Sequence, residues 1–153
     1  MYIVQVVDES KKSAITKDIL DLLPEWFGNE ESKKEYIKEV KYTNMWKAVD
    51  GKESVGFISI KIHHKCTGDI YVLGVKKEYQ HKGVGTKLLE TAEKYCKSVG
   101  CKRIIVKTLS EEVHYPPYLD TLRFYLSHKF ERLITFTEFW DSENPCLMLI
   151  KTI

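Results

Sequence analysis

The sequence predicts a mixed α/β fold, with one twisted sheet of six or seven strands flanked by about four helices. Three observations carry the prediction. Short β-branched or alternating segments recur along the chain, stretches with helical apolar spacing separate them, and Asp69 to Leu109 reads as strand, glycine loop, helix, strand. A crossover of that last kind is right-handed. The length of 153 residues suits one domain over 1–153, and 43% hydrophobic against 30% charged residues supplies a core without the bias of a disordered or repetitive chain.

Tyr2 to Val7 opens as a strand. From Ser13 to Leu23, Ile15, Ile19, Leu20, Leu22 and Leu23 keep helical spacing until Pro24 stops it, and a second helix is expected from about Glu30 to Val40. The apolar segment Tyr42 to Val49 meets Asp50-Gly51, a dipeptide suited to the positive φ angles of a tight hairpin. Its partner strand runs from about Ser54 to Ile62, half buried, with Ile58, Ile60 and Ile62 on one face. Thr67-Gly68 reads as a short loop. Asp69 to Val75 is too densely apolar for a surface strand and is expected at the sheet centre.

Glu78 to Thr86 then breaks the strand and opens a helix whose apolar stripe is Leu88, Leu89, Ala92, Tyr95, Cys96 and Val99, stopped by Gly100. Glu90/Lys94 and Glu93/Lys97 are i,i+4 pairs on its outer side. Arg103 to Leu109 is a β-branched strand. Pro116-Pro117 marks a loop before a helix from about Tyr118 to Ser127, Phe130 to Phe139 alternates weakly, Asn144-Pro145 is a turn signal, and Cys146 to Ile150 closes as a strand.

The 24 basic and 22 acidic side chains leave a formal charge of +2, and the lysine pairs are dispersed among acids, so a nucleic-acid partner is not expected. Met1 to Val7 lacks the basic lead of a secretory signal and no stretch approaches a membrane span, so a membrane partner is not expected either. Cys66, Cys96, Cys101 and Cys146 have neither CxxC nor zinc-ligand spacing, which predicts reduced thiols, a cytoplasmic location and no metal.

A strand that ends in a glycine loop opening a helix is a site for an anion, because first-turn N–H groups lack partners and the helix dipole adds positive charge. Gly83 and Gly85 permit close approach to the backbone. The segment fails the P-loop spacing, and Leu88 stands where the dinucleotide fingerprint requires its third glycine. Gln80-His81-Lys82-Gly83-Val84-Gly85, preceded by Val75 and Tyr79, resembles instead the Gln/Arg-x-x-Gly-x-Gly/Ala acetyl-CoA signature of the GNAT superfamily of N-acetyltransferases. The order of elements on either side and Phe124-Tyr125 followed by Phe130 extend the resemblance over the whole chain. It is also similar to an uncharacterised bacterial group at Trp26-Phe27-Gly28, Val106-Lys107-Thr108-Leu109 and Asn144-Pro145-Cys146-Leu147.

The resemblance implies a GNAT-like fold and acetyl-CoA as cosubstrate. Its pyrophosphate would rest on the backbone from His81 through Lys82, Gly83, Val84 and Gly85 to Thr86, led by Gln80, and its pantetheine arm would pair with Leu73, Gly74 and Val75. Direct transfer of an acetyl group to a primary amine passes through a tetrahedral intermediate. It requires an oxyanion donor, for which a backbone N–H near Leu73 is the candidate, and an acid for the thiolate, the family position of Tyr125. Asp69 matches an acidic position in the similar group and is the candidate base, directly or through water, with His63 and His64 as runners-up. Lys129 stands where relatives often have Gly before Phe130, and Tyr118 where they often have Asn, which predicts a shifted turn after Tyr125 and one altered cofactor contact.

For the acceptor, Trp26 and Phe27 lie beside Glu25, Glu30 and Glu31, a combination that could receive a cationic amine on ring faces, with His63 as a further contact. The same residues also suit a hydrophobic staple and a helix N-terminus. The substrate is therefore expected to be a small-molecule or peptide amine, and a homodimer is a possible assembly. The rival from another class is a non-catalytic acyl-CoA-binding sensor or interaction module that uses the same loop.

Overall fold

In the computed structural model, which describes residues 1–153, Asp8 sets the first helix boundary by accepting the Lys11 N–H on its carboxylate at 3.0 Å. Helix α1 therefore spans Glu9–Leu20, starting a turn before the apolar spacing that begins at Ser13. Asn29 caps α2, Glu30–Glu39, in the same way through the Ser32 N–H. The strands are β1 (Tyr2–Val6), β2 (Asn44–Asp50), β3 (Glu53–His63), β4 (Thr67–Val75), β5 (Arg103–Leu109), β6 (Glu131–Asp141) and β7 (Asn144–Thr152). Helix α3 is Val84–Ser98 and α4 is Pro116–Ser127.

Three turn expectations shift. Thr67-Gly68 belongs to β4 and the turn lies just before it, where His64 and Lys65 take positive φ. Gly68 is required by close approach, since a Cβ there would sit 2.5 Å from the Cys96 sulfur on α3. Pro116-Pro117 opens α4 instead of preceding it, because proline at the first helical positions loses no intrahelical bond. Asn144-Pro145 starts β7, and Glu143 and Asn144 tie the hairpin back to the Asp141 carboxylate.

The seven strands form one sheet in the order β1-β2-β3-β4-β5-β7-β6, antiparallel throughout except for the parallel pair β4 and β5. One face packs on α3 and α4 through Ile58, Ile60, Leu88, Leu89, Ile104 and Leu149, all fully buried. The other packs on α1 and α2 through Ile19, Leu20, Met45 and Phe57. Each such side chain contributes about 1.5–3 kcal/mol by leaving water. Val99, expected on the buried stripe of α3, is exposed beyond the helix end. Edge strand β6 exposes Leu133, Ile134, Phe139 and Trp140. No helix is long and apolar enough to cross a membrane.

The geometry that builds a site is local to β4. Its ladder with β3 slips between Ser59 and Ile60, so Tyr71 is an extra residue that leaves Tyr71 and Val72 both turned toward α1 and α2. Its parallel ladder with β5 ends at Ile70 and Val106. Beyond that point the two strands diverge, and one edge of β4 is left unpaired in the middle of the sheet.

Candidate active site

A cavity of about 690 Å³ fills the divergence between β4 and β5 and runs through to both faces of the sheet. Tyr71 to Val75 line it from one side and Val106 to Leu109 from the other. The Lys76 N–H donates to Val55 O of β3 at 2.9 Å, so by strand alternation the N–H groups of Leu73 and Val75 point away from β3 and into the cavity. Gln80 holds the mouth open by donating its side-chain amide to Val75 O at 2.9 Å. What remains is a short row of unused peptide groups, the template for an extended, amide-bearing arm.

Where the row ends, α3 begins. His81 and Gly83 both adopt left-handed backbone, at φ 59° and 84°, and turn the chain into α3, with Gln80, His81 and Gly85 lining the cavity. The first intrahelical bond runs from Lys87 N–H to Gly83 O, which leaves the Val84, Gly85 and Thr86 amides without a carbonyl four residues back. A Cβ on Gly85 would approach the Phe124 ring to 3.2 Å, so glycine lets α3 close on α4. Thr86 and His128 share a hydrogen bond at 2.9 Å across the same contact, and His81 lies 3.2 Å from the Asp120 carboxylate. A pyrophosphate linked to an amide-bearing arm fits this sequence of sites, and Lys82, which does not line the cavity, holds its ammonium 6.0 Å from the Tyr79 ring.

Tyr125 reaches the cavity from α4, held between the Phe124 and Phe130 rings at centroid distances of 5.2 and 5.3 Å. It is 3% exposed, and burial, aided by the nearby Tyr118, pushes its phenol well above the ordinary value. The phenol therefore stays protonated across the physiological range. The shifted turn expected from Lys129 does not occur. Lys129 itself takes φ 74°, and Phe130 N–H to Tyr125 O together with Lys129 N–H to Leu126 O close the helix as a glycine would.

Trp26 and Phe27 both line the cavity, but Trp26 is chiefly a clasp. Its indole N–H donates to Pro117 O at 3.0 Å and approaches Thr121 Oγ1 at 3.1 Å. Tyr118 donates back to Trp26 O and Tyr115 to Glu25 O, so the α1–α2 loop is bound to the start of α4 by four hydrogen bonds. Tyr118 serves this clasp. Phe27 meets Tyr36 edge-on at 5.8 Å, and Tyr36 meets Tyr71 at 5.2 Å, which gives the α1–α2 end of the cavity an aromatic wall.

Asp69 and His63 do not line the cavity. Asp69 Oδ2 is 2.8 Å from His63 Nε2 and 3.7 Å from Lys107 Nζ, so both histidine and carboxylate stand behind Lys107, which does line it. Lys107, Tyr36 and Tyr71 are wall residues to which sequence reasoning assigned no role. The first carried a signal, a lysine inside the β-branched run of β5. Thr108 Oγ1, fully shielded and without a hydrogen-bond partner, also belongs to this wall. No group of three or more His, Cys, Asp or Glu side chains has the arrangement of a metal site.

The model of the acetyltransferase (GNAT) family matches residues 16–130. No curated protein matches the chain. Solved structures do. One from Desulfovibrio desulfuricans, described as a GNAT-family acetyltransferase, superposes with a TM-score of 0.84 at 15% identity, over 99% of this chain and 98% of that one. An aminoglycoside 6'-N-acetyltransferase from Enterococcus faecium gives 0.75 at 22% identity, over 99% and 97%. A Bacillus subtilis acetyltransferase in complex with CoA gives 0.71 at 18%, also over 99% and 97%. At these identities the likeness is one of fold.

Proposed function

Because the chain belongs to the acetyltransferase (GNAT) family and is an N-acetyltransferase, we propose that it moves an acetyl group directly from acetyl-CoA to a primary amine of a small molecule or peptide, with Tyr125 as general acid. The observation that carries this reading is the free edge of β4 opening onto the buried Tyr125. Acetyl-CoA supplies the acyl group as a thioester. The Leu73 carbonyl and the Val75 N–H pair with its amide-bearing arm, and the backbone from Gln80 to Thr86 holds its pyrophosphate. An N–H at Leu73, already fixed by the sheet, receives the negative charge that develops on the carbonyl oxygen when the amine attacks. As the carbon–sulfur bond breaks, Tyr125 gives its proton to the departing thiolate and regains one from solvent. Water takes the proton lost by the amine, since Asp69 is held behind Lys107.

CoA-bound relatives and the amine named for the Enterococcus enzyme support the cosubstrate and the acceptor class. The test is thermal unfolding with and without acetyl-CoA, then thiol release across amines. A raised melting temperature and amine-dependent thiol release are expected. No shift at millimolar acetyl-CoA overturns the reading, and a shift with no release from any amine leaves a binding module in its place.

A further inference from the structure

We propose that Lys107 makes the acceptor end of the cavity an anion-binding subsite, so that the preferred substrate is an amine that also carries a carboxylate or phosphate. The proposal rests on the transferase reading above and names its substrate class. Four charged side chains on the cavity wall bear on the acceptor; two have close partners and a third is turned to solvent. Lys33 pairs with Asp21 at 3.0 Å and Glu30 at 3.1 Å. Glu31 is turned to solvent, 89% exposed beside Lys34. Asp141 spends its carboxylate on the β6–β7 turn, accepting from Glu143 N–H and from Asn144 Nδ2.

Lys107 is the exception. Its side chain is only 27% exposed, and its nearest acid, Asp69, is 3.7 Å from the ammonium and already takes a closer contact from His63 on the same oxygen. The remaining contact is the face of Phe139, 5.7 Å away. An ammonium has three donors, and a partly desolvated one gains more from a fully hydrogen-bonded anion than an exposed lysine does. Asp69 behind it offsets its charge at 3.7 Å, a distance too long for a hydrogen bond, and so leaves those donors free. The one carboxylate on this wall without a close partner, Glu31, is 89% exposed and hydrated, so it holds an added cation, such as a polyamine, only weakly.

The test uses matched amines with acetyl-CoA and the full chain: phenylalanine against phenethylamine, and phosphoethanolamine against ethanolamine. The wild type is expected to favour the anionic member of at least one pair by roughly ten- to a hundredfold in kcat/KM. The pair that responds separates carboxylate from phosphate. Lys107→Met erases the preference and Lys107→Arg keeps it, while the melting-temperature rise on acetyl-CoA is unchanged in both. Equal use of both members by the wild type, or a preference that survives in Lys107→Met, overturns the proposal. An absent acetyl-CoA shift is instead the failure of the transferase reading, and the same pairs titrated by thermal shift on the unloaded chain then test Lys107 alone. If neither anion stabilises that chain more than its neutral-tailed partner does, the subsite is refuted.

Discussion

Replacing Tyr125 by Phe removes one oxygen from the end of a ring whose packing is otherwise fixed. The ring stays between Phe124 and Phe130, and no group of the chain accepts from or donates to the hydroxyl, which faces the cavity. No internal hydrogen bond is lost and no buried partner is orphaned, so folding stability changes by less than about 0.5 kcal/mol. For a chain of this length that is a melting shift under about 2 °C. The acetyl-CoA contacts assigned here are backbone groups of β4 and the loop before α3, so affinity for it is unchanged. Loss of a positioned proton donor, in contrast, lowers kcat by about 10²–10⁴. Thiol release at saturating acetyl-CoA measures the rate, and the melting-temperature rise on acetyl-CoA measures binding on the same sample. A Tyr125→Phe enzyme that keeps kcat within about tenfold of wild type refutes the acid role.

Four further perturbations test the frame around the site. Trp26→Phe removes the indole N–H shared by Pro117 O and Thr121 Oγ1, and should cost about 1–3 kcal/mol in a chemical denaturation series at unchanged m-value. Gly68→Ala places a methyl 2.5 Å from Cys96 Sγ and should cost about 1–3 kcal/mol, whereas the same change combined with Cys96→Ala, which removes that sulfur, should recover most of it. Lys129→Gly relieves a side-chain residue at φ 74° and should raise stability by about 1 kcal/mol, read as a melting rise of about 2–4 °C. The last is alkaline. Burial raises the phenol pKa of Tyr36, Tyr118 and Tyr125 in the folded chain above about 10, the unfolded value. Their contribution is complete below pH 10 and is lost as pH rises, because the unfolded phenols release protons that the folded ones retain. Each should add up to about 1.4 kcal/mol of lost stability per pH unit, and Tyr118→Phe should flatten the slope in denaturation between pH 10 and 11.5.

Elements with strong periodicity were legible in the sequence, and those set by a single local contact were not. The α3 stripe and the β-branched β5 needed no tertiary knowledge, and the glycines between β4 and α3 announced the turn into the helix through residue type alone. The start of α1 escaped because Asp8 caps it through one carboxylate bond ahead of a polar turn, Glu9 to Lys12, that carries no apolar signal. Pro116-Pro117 misled because proline marks both a loop and a helix start. Lys129 misled because a lysine can occupy the left-handed conformation when Phe130 and Tyr125 fix the turn on both sides.

Asp69 illustrates a different boundary. Strand alternation places its side chain on the α1 and α2 face, where the acceptor is proposed to lie, and a carboxylate there is a reasonable base on sequence grounds. Whether it reaches the substrate depends on Lys107, two residues past the position that pairs with Asp69 in the parallel register of β5, and on His63 from the previous strand. Periodicity gives the face of a residue but not which neighbour stands in front of it. The order is Lys107 at the cavity, Asp69 behind and His63 half exposed beyond, so the charge presented to an acceptor is that of the lysine and not that of the acid. In the proposed reading, the open β4 edge and the loop before α3 hold the cosubstrate, while the acceptor meets Tyr36, Tyr71, Lys107 and Phe139. Those four come from four separate elements, so the charge met by the acceptor is set independently of the cosubstrate contacts.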